Sequence, residues 1–179
     1  MPAALWRVVF AGDARATLVE AAVGPQAGEA QIHVSARDDS SSLLPITARQ
    51  NALFPGTGEA GTATIRVARL ADEVPAADIA APALLKLDVQ GFCCCVGGPP
   101  PGRWVGRGIG IDRGGAPLLR GCFAWVYVEC SFMELYAGQS FADEVIAWLH
   151  ERGLRLAGVY HTAYDGEGRA VQADFLFGR

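Results

Sequence analysis

The sequence has no excess of positive charge and no long uninterrupted apolar run. Its 15 Lys and Arg residues are outnumbered by 19 Asp and Glu residues, so the net charge of −4 gives no electrostatic reason to bind nucleic acid. Charged residues, glycine or proline interrupt every apolar stretch before it could span a bilayer, so no membrane partner is expected. The N-terminal apolar run contains Arg7 and no typical cleavage site, which argues against a signal peptide.

Cysteines and histidines do not occur in patterns that indicate disulfides or metal ligands. Three of the five cysteines are adjacent at Cys93, Cys94 and Cys95, and neighbouring thiols pair poorly with one another. A reducing, cytoplasmic setting is therefore the simpler expectation. The three histidines are far apart in the sequence and show no ligand spacing, so no metal site is predicted.

What the sequence does contain is enough apolar residues for one packed domain, since 51% of its 179 residues are hydrophobic. An apolar run at Ala16–Val23 predicts a mostly buried strand that ends before Gly24 and Pro25. Alternating polar and apolar residues at Glu29–Ser35 and Thr62–Arg69 predict two strands that pair antiparallel.

The second half of the sequence predicts further strands around one helix. The run Ala83–Val89 is apolar nearly throughout, as is typical of a central strand covered on both faces, and Phe123–Cys130 has the same character. Apolar residues at helical spacing predict a helix over Phe141–Arg152 that Gly153 ends. Strand patterns at Leu154–Thr162 and Ala170–Phe177 flank an Asp-Gly turn and predict a hairpin.

This order of elements predicts an α/β sheet with an antiparallel edge. Ligands of open α/β sheets bind beyond the carboxyl ends of the strands, which is where Asp88 and Glu129 are expected. From topology alone, both side chains could equally be loop carboxylates that cap a turn or form a salt bridge.

Four segments in this order resemble the FkbM methyltransferase family: AAVG at 21–24, SSSLL at 40–44, LLKLDVQGF at 84–92 and VYVECSFMELYAGQ at 126–139. The closing hairpin, with QADFLF at 172–177, fits as well. The resemblance implies one partial domain over residues 1–179, with a truncated Rossmann-like methyltransferase sheet, mostly parallel with an antiparallel C-terminal hairpin. It also implies transfer of a methyl group from S-adenosylmethionine to an oxygen of a small molecule or a sugar.

The same resemblance implies roles for individual residues. Asp88 is the first catalytic or positioning candidate, followed by Lys86 and Glu129. The residues implied for S-adenosylmethionine binding are Ala21, Ala22, Val23, Asp88, Gln90 and Gly91. Removing a proton from an acceptor hydroxyl is chemistry that a carboxylate at a strand end performs.

Four further residues are candidates for acceptor binding. Ser40, Ser41 and Ser42 could line the mouth of a pocket, or they could only cap the next turn. His161 comes late in a predicted strand and could face the acceptor, although an ordinary strand-end histidine would look the same in the sequence.

The sequence departs from the family pattern in two places. The family's glycine-rich turn, helix and acidic strand end, which hold the cofactor, are expected upstream of this sequence, so binding of S-adenosylmethionine is expected to be impaired. A Gly- and Pro-rich run at 93–113 also replaces the family's next helix, and it predicts a disordered insertion or a frameshifted segment. A metal-binding insertion at the adjacent cysteines is the rival interpretation of that run. A non-catalytic binding or interaction module derived from the same fold remains the alternative function.

Overall fold

The structure, a computed structural model, describes residues 3–37, 39–89 and 121–179. The N-terminal part contains α1 (Ala3–Val9), β1 (Ala22–Val23), β2 (Gly28–Ser35), α2 (Ala48–Leu53), β3 (Glu59–Ala68), α3 (Leu70–Glu73), a 3₁₀ turn (Ala76–Asp78) and β4 (Ala83–Leu87). The C-terminal part contains β5 (Phe123–Ser131), α4 (Ala142–Glu151), β6 (Arg155–Tyr164) and β7 (Ala170–Gly178). The described part of the chain is therefore α/β. The predicted insertion at 93–113 lies outside the described residues.

Three strands form a small sheet in the order β1-β3-β2. The predicted antiparallel pair is confirmed, with Gly28 opposite Val67 and Ile32 opposite Ala63. The predicted strand at Ala16–Val23 is wrong over most of its length, since only Ala22 and Val23 pair with β3. Apolar composition alone favours a strand, but a strand also needs a hydrogen-bonded neighbour along its length.

Four strands form the larger sheet in the order β4-β5-β7-β6. Only β4 and β5 pair parallel in it, while β5–β7 and β6–β7 pair antiparallel, so the expected mostly parallel sheet is not confirmed. The prediction that the Leu84 strand is central is also wrong for the described residues, because β4 ends the strand order and Leu84 is 59% exposed. A run of apolar residues does not distinguish a covered face from an open one, since that depends on what packs there.

One face of the larger sheet packs against α4 and forms the main core. Residues of β5 alternate, so that Val126 and Val128 are fully buried in the same cluster as Val145 and Leu149 of α4. Burying each such side chain stabilises the fold by about 1.5–3 kcal/mol. The alternate residues Tyr127 and Glu129 therefore lie on the opposite face of the sheet.

The predicted helix and hairpin in the C-terminal part are confirmed. Glu144 accepts a hydrogen bond from the Phe141 backbone at the start of α4, and Gly153 adopts a φ of +79° just after its end. The β6–β7 turn is closed by Asp165, whose Oδ1 accepts from the backbone N–H groups of Glu167 and Arg169. In the described part of the chain, no helix has both the length and the apolar character needed to cross a membrane.

Candidate functional site

A polar cavity of about 260 Å³ lies beside the point where β4 ends. Asp88, the residue directly after β4, and Glu129 of β5 both line this cavity. Cavities at strand ends are the usual ligand sites of α/β folds. The structure thus brings together the two carboxylates that the sequence placed at one edge of the sheet.

Four other parts of the chain complete the cavity wall. The segment after β2 contributes Arg37, Asp39 and Ser40, and the region of α2 contributes Gln50, Phe54 and Thr57. Two more lining residues, Tyr136 and Gln172, come from the segment after β5 and from β7. The wall therefore combines side chains that are more than 130 residues apart in the sequence.

The acidity of Glu129 is altered by its place on the cavity wall. Partial burial is the main cause that raises the pKa of Glu129 from 4.5 to about 7, and the negative charges of Asp88 and Asp174 raise it further. Gln172 Nε2 donates a hydrogen bond to Glu129 Oε2 at 3.2 Å. A carboxyl group with a pKa near 7 exchanges protons readily at neutral pH, as a general base requires.

Asp88 and Lys86 form an ion pair at the rim of the cavity. Lys86 Nζ lies 2.8 Å from Asp88 Oδ2, and both side chains are more than half exposed. In an exposed pair of this kind the stabilisation is small, about 0–1 kcal/mol. Lys86 contacts Asp88 but does not line the cavity, so of the three predicted catalytic residues only Asp88 and Glu129 reach its wall.

The three serines differ in what they contact. Ser40 lines the cavity, donates a hydrogen bond to Asp39 Oδ1 and accepts one at its carbonyl from the Tyr136 hydroxyl. Ser41 accepts a hydrogen bond from the Ser35 backbone, and Ser42 is buried and caps the N–H of Leu44. Ser41 and Ser42 therefore hold the shape of the loop, which is the alternative that the sequence left open for them.

Tyr136 is buried and holds the loop at Ser40 in place through a hydrogen bond. It is 2% exposed, and burial together with the nearby charge of Glu129 raises the pKa of its hydroxyl above the ordinary value. The hydroxyl stays neutral and donates to the Ser40 carbonyl, so it fixes the loop against the second core cluster around Leu135.

His161 lies outside the cavity, in a second polar group on β5, β6 and β7. Its Nδ1 lies 2.8 Å from Oδ2 of Asp174, and the Tyr127 hydroxyl donates to the same oxygen at 2.9 Å. Burial and this contact with Asp174 raise the pKa of Tyr127. Asp174 is also the cross-strand partner of Glu129, so the two polar groups adjoin on one face of the sheet.

The described residues among those predicted to bind the cofactor do not all line the cavity. Ala22 and Val23 pair with Val67 and Ala68 in the small sheet, and neither they nor Ala21 line the cavity. Gln90 and Gly91 lie outside the described residues. Only Asp88 of this set borders the cavity.

Several cavity residues were not predicted from the sequence. Tyr136 and Gln172 belong to two segments that carry the family resemblance, but neither motif indicates that its residue lines a cavity. Arg37, Gln50 and Thr57 carry no sequence signal, because short-range patterns do not indicate which loops fold over a strand end. Within residues 3–37, 39–89 and 121–179, no three potential ligands cluster around a metal-sized position.

Comparison with known proteins gives one match. The family model described as the methyltransferase FkbM domain matches residues 9–156, which is most of the chain. No curated protein and no solved structure matches the chain.

Proposed function

The chain belongs to the FkbM methyltransferase family, and from that premise we propose that its cavity binds the methyl acceptor, a small molecule or a sugar with a free hydroxyl group. The observation that carries this proposal is the position of Glu129, a carboxyl group with a raised pKa on the wall of a polar cavity beside Asp88. Methyl transfer to oxygen requires an oriented hydroxyl group and a place for its proton.

In this proposal Glu129 accepts the proton of the acceptor hydroxyl. Gln172 orients the Glu129 carboxylate through its 3.2 Å hydrogen bond, and Asp88 holds the acceptor from the strand end. Because the pKa of Glu129 is about 7, its deprotonated form is well populated at neutral pH while it still accepts a proton readily.

The methyl donor is expected to be S-adenosylmethionine, as in the family. The described residues do not form a set that surrounds that cofactor, since Ala21, Ala22 and Val23 do not line the cavity that Asp88 borders. We therefore derive no step through the cofactor and expect the 179-residue chain to bind it weakly. Titration calorimetry that gave low-micromolar affinity for S-adenosylmethionine would contradict this expectation.

A second candidate function is a binding module that takes up the hydroxylated ligand without methylating it. The cavity lining favours this alternative, because among the described cofactor candidates it includes Asp88 alone. In both cases the cavity binds the same kind of compound, so the two functions differ only in whether methyl transfer follows binding.

The deciding experiment measures transfer and binding together. The chain is incubated with millimolar methyl-labelled S-adenosylmethionine and a panel of monosaccharides, and label is followed by mass spectrometry. For a methyltransferase we expect labelled product that Glu129→Gln reduces about 100-fold, the usual size of a general-base effect. Sugar binding without methyl transfer would identify the chain as a binding module. An equal amount of labelled product from the Glu129→Gln variant would overturn the role assigned to Glu129. Glu151→Gln, an exposed change on α4, is the control.

A further inference from the structure

Gln50 of α2 carries a buried side-chain oxygen that has no hydrogen-bond partner among the described residues. The residue lines the cavity and is only 4% exposed. In the described part of the chain, its side-chain Oε1 has no hydrogen-bond partner. Since buried polar atoms are nearly always paired, and an unpaired one destabilises the fold, this oxygen calls for an explanation.

The Gln50 side chain is not what holds α2 in place. Its backbone N–H donates to the Thr47 side chain, which caps the helix, and its carbonyl accepts from the Phe54 backbone. The helix is thus fixed through the backbone, while the carboxamide adds an unsatisfied group. The terminal torsion of glutamine is broad, so the amide can turn its oxygen or its nitrogen toward the cavity at little cost.

The rest of the wall offers acceptors and few free donors. The hydroxyls of Ser40, Thr57 and Tyr136 all donate within the protein, to Asp39, to the Phe54 carbonyl and to the Ser40 carbonyl. Gln172 Nε2 donates to Glu129. A ligand that satisfies this wall must therefore bring hydrogen-bond donors of its own.

The charged side chains on the cavity wall also disfavour anionic ligands. Three lining residues, Asp39, Asp88 and Glu129, carry carboxyl groups, and Arg37 is the one lining cation among the described residues. Arg37 is already paired with Asp39 at 3.0 Å. Asp88 is paired with Lys86 at 2.8 Å, so Glu129 leaves the combined charge of these side chains negative. An anionic ligand would be repelled by this charge in a partly enclosed space, where repulsion is stronger than in open water.

We propose that Gln50 binds the acceptor by accepting a hydrogen bond from one of its hydroxyl or amino groups. The cavity thereby selects a neutral or cationic, donor-rich compound such as a polyol or an amino sugar, and it rejects phosphorylated and carboxylated sugars. The ring of Phe54 supplies an apolar surface for the carbon skeleton of such a compound. This inference rests on the proposed function, since it names the class of the acceptor.

The selectivity is tested with four matched probes: D-glucose, D-glucosamine, D-glucuronate and D-glucose 6-phosphate. Affinities of the unmodified chain are measured by ligand-detected NMR at neutral pH. We expect glucose and glucosamine to bind at least tenfold more tightly than either anionic sugar. Equal or tighter binding of an anionic sugar overturns the inference, and so does binding by none of the four.

The role of Gln50 is tested with Gln50→Met, which keeps the chain length and removes the amide. Relief of the unpaired oxygen should raise Tm by about 2–4 °C, while the affinity for glucosamine falls at least tenfold. Gln50→Asn, which retracts the amide, should weaken binding with little change in Tm. A lower Tm with unchanged affinity for Gln50→Met would mean that the side chain is structural. Gln31→Met, at an exposed position of β2, should leave affinity unchanged.

Different results would contradict the inference about Gln50 and the proposed function. If glucose and glucosamine bind, and Glu129→Gln impairs methyl transfer while Gln50→Met leaves affinity unchanged, the inference about Gln50 fails and the proposed function stands. If the sugars bind outside the cavity, so that neither Glu129→Gln nor Gln50→Met alters affinity or transfer, the proposed function fails as well.

Discussion

His161 lies against Asp174 with its Nδ1 2.8 Å from Oδ2, and it does so with a backbone φ of +48° inside β6. Left-handed φ values are uncommon for residues other than glycine, although asparagine, aspartate and histidine adopt them more often than the others. The bulged pairing between Tyr160 and Ala163 accompanies this conformation and turns the imidazole toward Asp174. His161 is therefore a strained residue in the β6–β7 hairpin, and not a wall residue of the cavity.

The left-handed conformation of His161 predicts which substitutions at this position destabilise the protein. Asparagine tolerates left-handed φ, so we expect His161→Asn to change the free energy of unfolding by less than about 1 kcal/mol. His161→Val should lower it by about 1–3 kcal/mol, because a β-branched side chain is excluded from this conformation. Urea unfolding monitored by circular dichroism measures both. A valine variant as stable as the asparagine variant would argue against a left-handed His161 in solution.

The raised pKa of Glu129 predicts how stability depends on pH. The folded state holds the Glu129 proton up to about pH 7, whereas the unfolded state releases it near 4.5. The contribution of Glu129 is therefore most favourable below pH 4.5, declines as pH rises from 4.5 to 7, and is constant above. Glu129→Gln should remove this decline and raise the free energy of unfolding at pH 8 by about 1–3 kcal/mol. Urea unfolding at pH 5 and pH 8 tests it. An equal gain in the free energy of unfolding at both pH values would contradict this prediction. Glu151→Gln is the control.

The neighbours of Glu129 predict the direction in which its pKa moves on substitution. Asp88→Asn and Asp174→Asn each remove a nearby negative charge, so both should lower the pKa of Glu129 from about 7 toward 4.5. Asp88 has the larger influence of the two, so its variant should show the larger change. The titration is followed by NMR of the Glu129 side-chain carboxyl carbon. Asp143→Asn on α4 should leave the pKa of Glu129 unchanged. A rise of that pKa in the Asp88→Asn or the Asp174→Asn variant would disprove the electrostatic account.

Gly24 predicts a packing defect that a second substitution relieves. A Cβ atom at Gly24 would come too close to Cγ1 of Val67, which is 8% exposed in β3. Gly24→Ala should therefore lower the free energy of unfolding by about 1–3 kcal/mol. The double variant Gly24→Ala/Val67→Ala should be more stable than the sum of its single variants implies. Gly28→Ala, where a Cβ meets nothing within 4 Å, is the matched control. Additive single effects would show that the two residues do not pack as described.

Local sequence patterns are enough to predict part of this fold. The strands at Glu29–Ser35 and Thr62–Arg69, the helix at Phe141–Arg152 and the final hairpin agree with the structure to within a few residues. Alternation of apolar and polar residues, and spacing along a helix, follow directly from backbone geometry. The motif residues also placed Asp88 and Glu129 at one edge of a sheet.

The surroundings of those two carboxylates depend on how distant segments of the chain pack together. The cavity wall adds Gln50 from α2, Tyr136 from the segment after β5 and Gln172 from β7, positions that no local pattern connects. The pKa of Glu129 likewise depends on burial and on Asp88 and Asp174, and each of these depends on how the strands pair. The open face of β4 has the same origin, since composition fixes which residues are apolar and packing fixes which of them are covered.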